Sequence, residues 1–183
     1  MENLFATQAS NSYQSLLPRE ADAWQSISAS INRTSLVAGW CPMEFEFKAV
    51  DKKNIKLPCI CTVYLPGVLA FRANLKAELF PPNKCAELEF LPIGVCGEQW
   101  LLMNCLKTVR LFDEEKSQVM RGLNGDIFMV LKLHITDPAA TDCEMFTLAE
   151  SNRTQLFVRS SFKARVDKLR LTGISFQHIG QVV

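Results

Sequence analysis

The stretch LFVRSSFKARVDKLRLTGISFQ, residues 156 to 177, changes period twice, and it limits the fold more than any other part of the chain. LFVRS reads as a strand. If Ser160 or Ser161 caps a helix, then at about 100° per residue Phe162, Val166 and Leu169 lie within roughly 60° of one another and form a narrow apolar stripe. Gly173 sits where a left-handed C-terminal cap is wanted, and ISFQHI resumes a period of two with Ile174 and Phe176 pointing one way. Strand, helix and strand in so short a span predict an α+β fold: a single mixed domain, largely antiparallel sheet, with the C-terminal helix packed on it.

At 183 residues the chain can bury one core without a disulfide or metal staple, so a single domain over residues 1–183 is expected. Residues 1–35 form a polar N-terminal segment in which PREADAWQSISASI is the one helix-like piece, and the tail before Pro18 is expected to be loose. Residues 36–66 read as a hairpin. In MEFEFKAV, Phe45 and Phe47 alternate with Glu44, Glu46 and Lys48, and DKKN turns the chain into a second strand, IKLPCICTVYL. Residues 67–183 hold the rest.

After Gly67 the period becomes helical, with Val68, Leu69, Leu75 and Leu79 near one face and Pro81 and Pro82 as the stop. AELEFLPIGV and GEQWLLMNCLKTVRLF follow as strands joined through CGE, DEEKSQVMRG reads as a short helix started by Asp113, and GDIFMVLKLHI is a strongly apolar strand. EMFTLAE, SNR and TQLFVRS read as strand, turn and strand. The main sheet is expected from strands at about 87–92, 99–106, 127–135 and 154–159.

Charge decides less than it first suggests. The net charge of +1 gives little long-range attraction to nucleic acid or to an anionic membrane. It hides a dipolar chain, since residues 151–183 carry six basic residues and one acidic, and residues 1–150 carry fourteen and eighteen. On the helix, Lys163 and Arg170 fall to one side of the apolar stripe and Arg165 and Lys168 to the other. They flank a seam and form no contiguous basic face.

The chemical inventory is thin. Seven cysteines, an odd number set mostly among apolar neighbours, fit a reducing cytosol, and no basic-then-apolar leader or membrane-length apolar run is present, so a cytoplasmic location is expected. Cys59 and Cys61 share one face of a strand, but no C-x-x-C pair completes a zinc set; His134 and His178 have no acidic or thiol neighbour at a recognisable spacing. No phosphate-binding, dinucleotide, nucleophile-elbow or zincin motif occurs. No catalytic, cofactor-binding or metal residues are therefore assigned, although Cys41, in a loop between Gly39 and Pro42, is the best candidate for a thiol nucleophile with a distant histidine.

ELEFLPIGVCGEQWLLMNCLKTVRLFDEEKS, then IFMVLKLHI, then MFTLAESNRTQLFVRSSFKARVDKLRLTGISFQHI, resembles the family of bacterial immunity proteins found beside polymorphic-toxin genes. The matching positions run from Phe90 to Ile93, Trp100 to Asn104, Ser117, Lys132 with Leu133, Leu156 to Val166, and Leu171 to Phe176. Trp100, Asn104, Ser117, Phe162, Gly173 and Phe176 are its structural signature. In one departure, Cys105 stands where a Pro often follows the Asn.

The resemblance implies a non-enzymatic protein that binds and neutralises a cognate toxin or secreted effector in the producing cell's cytosol, with no nucleic acid or membrane as partner and no cofactor. Since such proteins often present acids to a basic groove, the densest acidic run, Asp113, Glu114 and Glu115, is the expected toxin contact, with Arg165 and Lys168 peripheral. The alternatives are a nucleic-acid binder using the basic C-terminal helix and a small enzyme with a cysteine nucleophile.

Overall fold

Strands dominate, and they assemble into two β systems. The computed structural model describes residues 2–49, 56–63, 65–84, 86–110, 113, 115–123, 125, 127–135, 143–151 and 155–182. In chain order the elements are β1 (Glu2–Ala9), β2 (Ser15–Pro18), α1 (Ala21–Ser28), β3 (Met43–Lys48), β4 (Ile60–Val63), β5 (Leu65–Arg72), α2 (Lys76–Leu79), β6 (Leu88–Val95), β7 (Glu98–Cys105), β8 (Thr108–Val109), β9 (Gln118–Arg121), β10 (Ile127–Ile135), β11 (Met145–Leu148), β12 (Phe157–Arg159), α3 (Ser160–Lys168) and β13 (Ile174–Val182). Together they form one mixed α+β domain.

The order β2-β3-β6-β7-β5-β4 closes a barrel, and β8-β11-β12-β1-β13-β10-β9 forms a seven-stranded sheet. Both are mixed. Parallel pairs join β2 to β4, β3 to β6, β10 to β13 and β8 to β11, among antiparallel neighbours. The strands expected to make one main sheet are therefore split: β6 and β7 belong to the barrel, β10 and β12 to the open sheet.

The barrel interior holds Leu16, Phe45, Val63, Val68, Ala70, Leu91, Ile93, Trp100 and Leu102. The alternate residues Leu69, Phe71, Met103 and Cys105 point the other way and are buried as well. Thus β5 and β7 are covered on both faces, and the outward face of this barrel wall packs against the open sheet. Residues of β1, β11 and β12 divide in the same way: Leu4, Phe146 and Phe157 enter a cluster with β10 on one face, whereas Phe5, Met145 and Val158, with Leu156 just before β12, join the barrel wall on the other.

Double burial explains two corrections. The helix expected over Val68–Leu79 is a strand as far as Arg72 and helical only from there on, as a 3₁₀ turn over Ala73–Leu75 that runs into α2, because a strand buried on both faces loses its period of two and reads as a continuous apolar run. The N-terminal tail, expected to be loose, supplies β1. It is a central strand, antiparallel to both β12 and β13, and Leu4 and Ala6 are fully buried there. The expected hairpin of residues 36–66 does not form. β3 pairs with β2 and β6, and β4 pairs with β5 and β2; the DKKN turn lies outside the described residues. The β6–β7 hairpin is as expected, turned by Cys96 (φ 51°) and Gly97 (φ 82°), whose two positive φ values match the twist of the flanking strands.

The C-terminal unit is strand, helix and strand, with different caps from those expected. Neither serine caps α3: Ser160 Oγ donates to Glu2 Oε1 at 3.1 Å and Ser161 Oγ donates to Glu144. The left-handed residue after the helix is Arg170 (φ 52°), where Leu171 N–H returns to Val166 O and Arg170 N–H to Asp167 O, a Schellman ending. Gly173 serves packing instead, since a Cβ there would stand 2.2 Å from Ile60 O. Arg165, expected outside the toxin contact, forms a bidentate pair with Glu144, whose side chain is 2% exposed, and donates from Nε to Leu79 O at 2.9 Å.

Phe162 sits at the meeting point. Its ring lies 5.6 Å from Phe80 on the barrel side and 6.3 Å from Phe176 on the sheet side. Phe162→Ala should cost about 3–5 kcal/mol in chemical denaturation. Arg165→Ala, which strands the Glu144 carboxylate, should cost a comparable 3 kcal/mol or so. A loss below about 1 kcal/mol in both would mean that this seam does not hold the two β systems together.

Candidate protein-binding surface

Of the six large exposed apolar side chains among the described residues, four lie on one hairpin, and Val37 and Leu57 stand apart from it. β9 is an edge strand and pairs only with β10, with Met120 opposite Met129 and Val119 opposite Val130. Ile127, Val130, Leu133 and Ile135 face the core, and register shifts in the ladder leave Phe128 and Leu131 outside. Phe128 is 51% exposed, Met120 43% and Leu131 40%, and Leu123 at the tip is fully exposed. A hairpin with four exposed apolar side chains beside an open strand edge is the kind of patch that another chain covers.

The turn that enters this hairpin contains the acidic run. Asp113 N–H donates to His134 O, His134 N–H donates to Ser117 Oγ at 3.0 Å, and Ser117 N–H donates to Asp113 O at 2.8 Å, which fastens the turn to the end of β10. The Asp113 carboxylate accepts from the N–H groups of Glu115 and Lys116 and pairs with Lys116 Nζ at 3.0 Å. These bonds, the Lys116 side chain first, hold its carboxyl below the usual range. The chain goes directly into strand β9, so the helix expected over DEEKSQVMRG is a capped turn. Glu115 is exposed beside it, and Glu114 lies outside the described residues.

The remaining signature residues hold structure. Trp100 fills the barrel, with Phe47 edge-on at 5.4 Å. Asn104 is the hub of a buried network: its Oδ1 accepts from Asn32 N–H at 2.6 Å, and its Nδ2 donates to Thr34 O at 3.0 Å and Glu89 Oε2 at 2.8 Å. Asn32, at φ 59°, reciprocates by accepting from Cys105 N–H and donating to Gly67 O. Burial alone would raise the Glu89 carboxyl, but hydrogen bonds from Leu36 N–H, the Ser35 side chain and Asn104 outweigh it and leave the group below its ordinary 4.5. The segment 32–36 is thereby pinned to the barrel wall.

Cys41 is exposed in a shallow hollow with Trp40 and Met43, on the barrel side. His134 and His178 lie on β10 and β13 of the other sheet. Burial pushes the Cys105 thiol up to about 12 and the Cys61 thiol higher still. Among the described residues, no group of three or more His, Cys, Asp or Glu side chains is placed to hold a metal ion, and no helix is long and apolar enough to cross a membrane. On α3, Lys163 pairs with Asp167 and Arg165 with Glu144. Charge on the helix is thus largely spent within the molecule.

Neither protein-family models nor curated proteins give a match to this chain. The surface must be judged on its own chemistry. The exposed hairpin had no place in the sequence reading, although DIFMVLKL carried a signal: apolar residues fill more positions than one buried face can use.

Two outcomes follow for the Asn104 network. Asn104→Ala should cost about 1–3 kcal/mol, since it leaves buried partners unsatisfied. The Glu2 and Glu89 carboxyls both sit below their ordinary value, so the stability they confer is present above about pH 4.5 and is lost as the pH falls through their lower folded values. Glu89→Gln should flatten that acid limb in denaturation measured against pH. An unchanged limb would contradict the network's role.

Proposed function

We propose that the chain is a binding protein that neutralises a cognate antibacterial toxin or effector in the cytosol, and that the β9–β10 hairpin is its contact surface. The observation that carries this reading is the exposure of Met120, Leu123, Phe128 and Leu131 on one hairpin. The ordered motif from Phe90 to Phe176 supplies the toxin class by resemblance. Apolar side chains at the centre of the patch would be dehydrated by the partner, and Glu115 at the rim would meet its basic groove.

The acidic run keeps a role of a different kind. Asp113 shapes the turn, and Glu115 offers the free carboxylate, so reversal of Glu115 should slow association without altering the fold. Lys168 and Arg170 belong to α3 and the turn that ends it, not to this hairpin, and neutralising them should leave protection intact.

The test is co-expression with the toxin encoded by the neighbouring reading frame. The intact protein should restore growth, whereas Phe128→Asp with Leu131→Asp, still soluble and folded, should weaken binding by about 30-fold or more and abolish rescue. If the double variant rescues as well as the wild type, or the intact soluble protein rescues nothing, the reading fails.

A further inference from the structure

A second feature lies on the barrel, remote in the fold from the hairpin. The turn Ala73–Leu75 and α2 border an open groove of about 590 Å³ beside β6, lined by Ala73, Asn74, Lys76, Ala77, Phe80, Pro82, Leu88 and Phe90. That volume falls in the usual range for small-molecule sites. The half-buried Phe90 ring gives its floor an aromatic character, backed at 4.9 Å and a 59° tilt by the Phe80 ring, which is itself only 3% exposed. Phe80 is also locked from behind by Phe71 at 5.0 Å and Phe162 at 5.6 Å, so the floor is rigid.

One charge faces this groove. Lys76 Nζ lies 4.6 Å from the centroid of the Phe90 ring, and among the described residues no carboxylate pairs with it. An ammonium over an aromatic face retains part of its attraction for an anion, and the Asn74 carboxamide lines the same opening. An apolar floor under a single unpaired cation complements a molecule with an apolar ring and one negative charge. A peptide segment is disfavoured, because β6 is paired on both sides, with β3 and β7, and has no free backbone edge to hold an extended chain.

We propose that the groove under α2 is a binding site for a small free aromatic monocarboxylate, with the ring against Phe90 and Leu88 beside the rim of Phe80 and the carboxylate on Lys76. The site is independent of the toxin reading, since the hairpin belongs to the other sheet.

The test titrates the full chain with 3-phenylpropionate and, separately, with its uncharged amide, 3-phenylpropanamide, following backbone amide signals by two-dimensional NMR. A ligand of this size should bind with a Kd of about a millimolar, with shifts centred on residues 73–77 and 88–90. The carboxylate should bind about three- to five-fold tighter than the amide, the worth of one exposed ion pair. Lys76→Gln should erase that preference while leaving amide binding unchanged. Ala77→Trp, at an exposed helix position, should fill the groove and abolish both. Absence of binding, equal binding of the two probes to the wild type, or shifts centred elsewhere would overturn the proposal.

Discussion

The structure depends on a shared apolar layer between the barrel wall and the open sheet. The outward residues Leu69, Phe71 and Met103 of the barrel and the inward-turned Met145, Leu156 and Val158 of the sheet occupy one cluster with Phe162 and Val166 of α3. A closed barrel of short strands has only a small interior, and the curled sheet has another. The layer between them makes one domain of two modest cores. Rings continue through it without a break, from Phe71 and Phe90 through Phe80 and Phe162 to Phe176 and Phe5. The buried Glu144–Arg165 pair fixes the angle of α3 across this seam, with a direction that apolar contacts alone do not impose.

That layer also decides what could be read from the sequence. Strands with one face in water, such as β3 with Phe45 buried and Glu44 exposed, declared themselves by alternation. So did the helix stripe of Phe162 and Val166, and the β6–β7 turn. Strand β5, buried on both faces, hid its period and looked helical. β1 was missed because the polar residues of ENLFATQA come in adjacent pairs, Glu2 with Asn3 and Thr7 with Gln8, without a period of two, and because its partners are far away in sequence: it pairs with β12 and β13, at the opposite end of the chain. Local pattern carries no information about such long-range closure. The parallel pairs were invisible for the same reason.

At the acidic run the structure shows a task for Asp113 that the sequence chemistry did not anticipate. Acids in a row suggested a contact surface, yet Asp113 spends its carboxylate on two N–H groups and on Lys116. Asn104 stood out only as a motif position, whereas the structure makes it the polar anchor of the barrel wall. The hairpin was harder to see. Exposure depends on register, and the irregular β9–β10 ladder turns Phe128 and Leu131 outward while the rest of β10 serves the core. A strand edge decorated in this way is costly to leave in water, which is the physical ground for the proposal that a partner covers it.

Hydrogen–deuterium exchange of the protein, alone and with the toxin proposed as its partner, tests the binding proposal most directly. The account predicts new protection concentrated over residues 116–132, the hairpin and its entry turn, with α3 at 160–168 unchanged. Protection gained over α3 while the hairpin exchanges as it does in the free protein would contradict it.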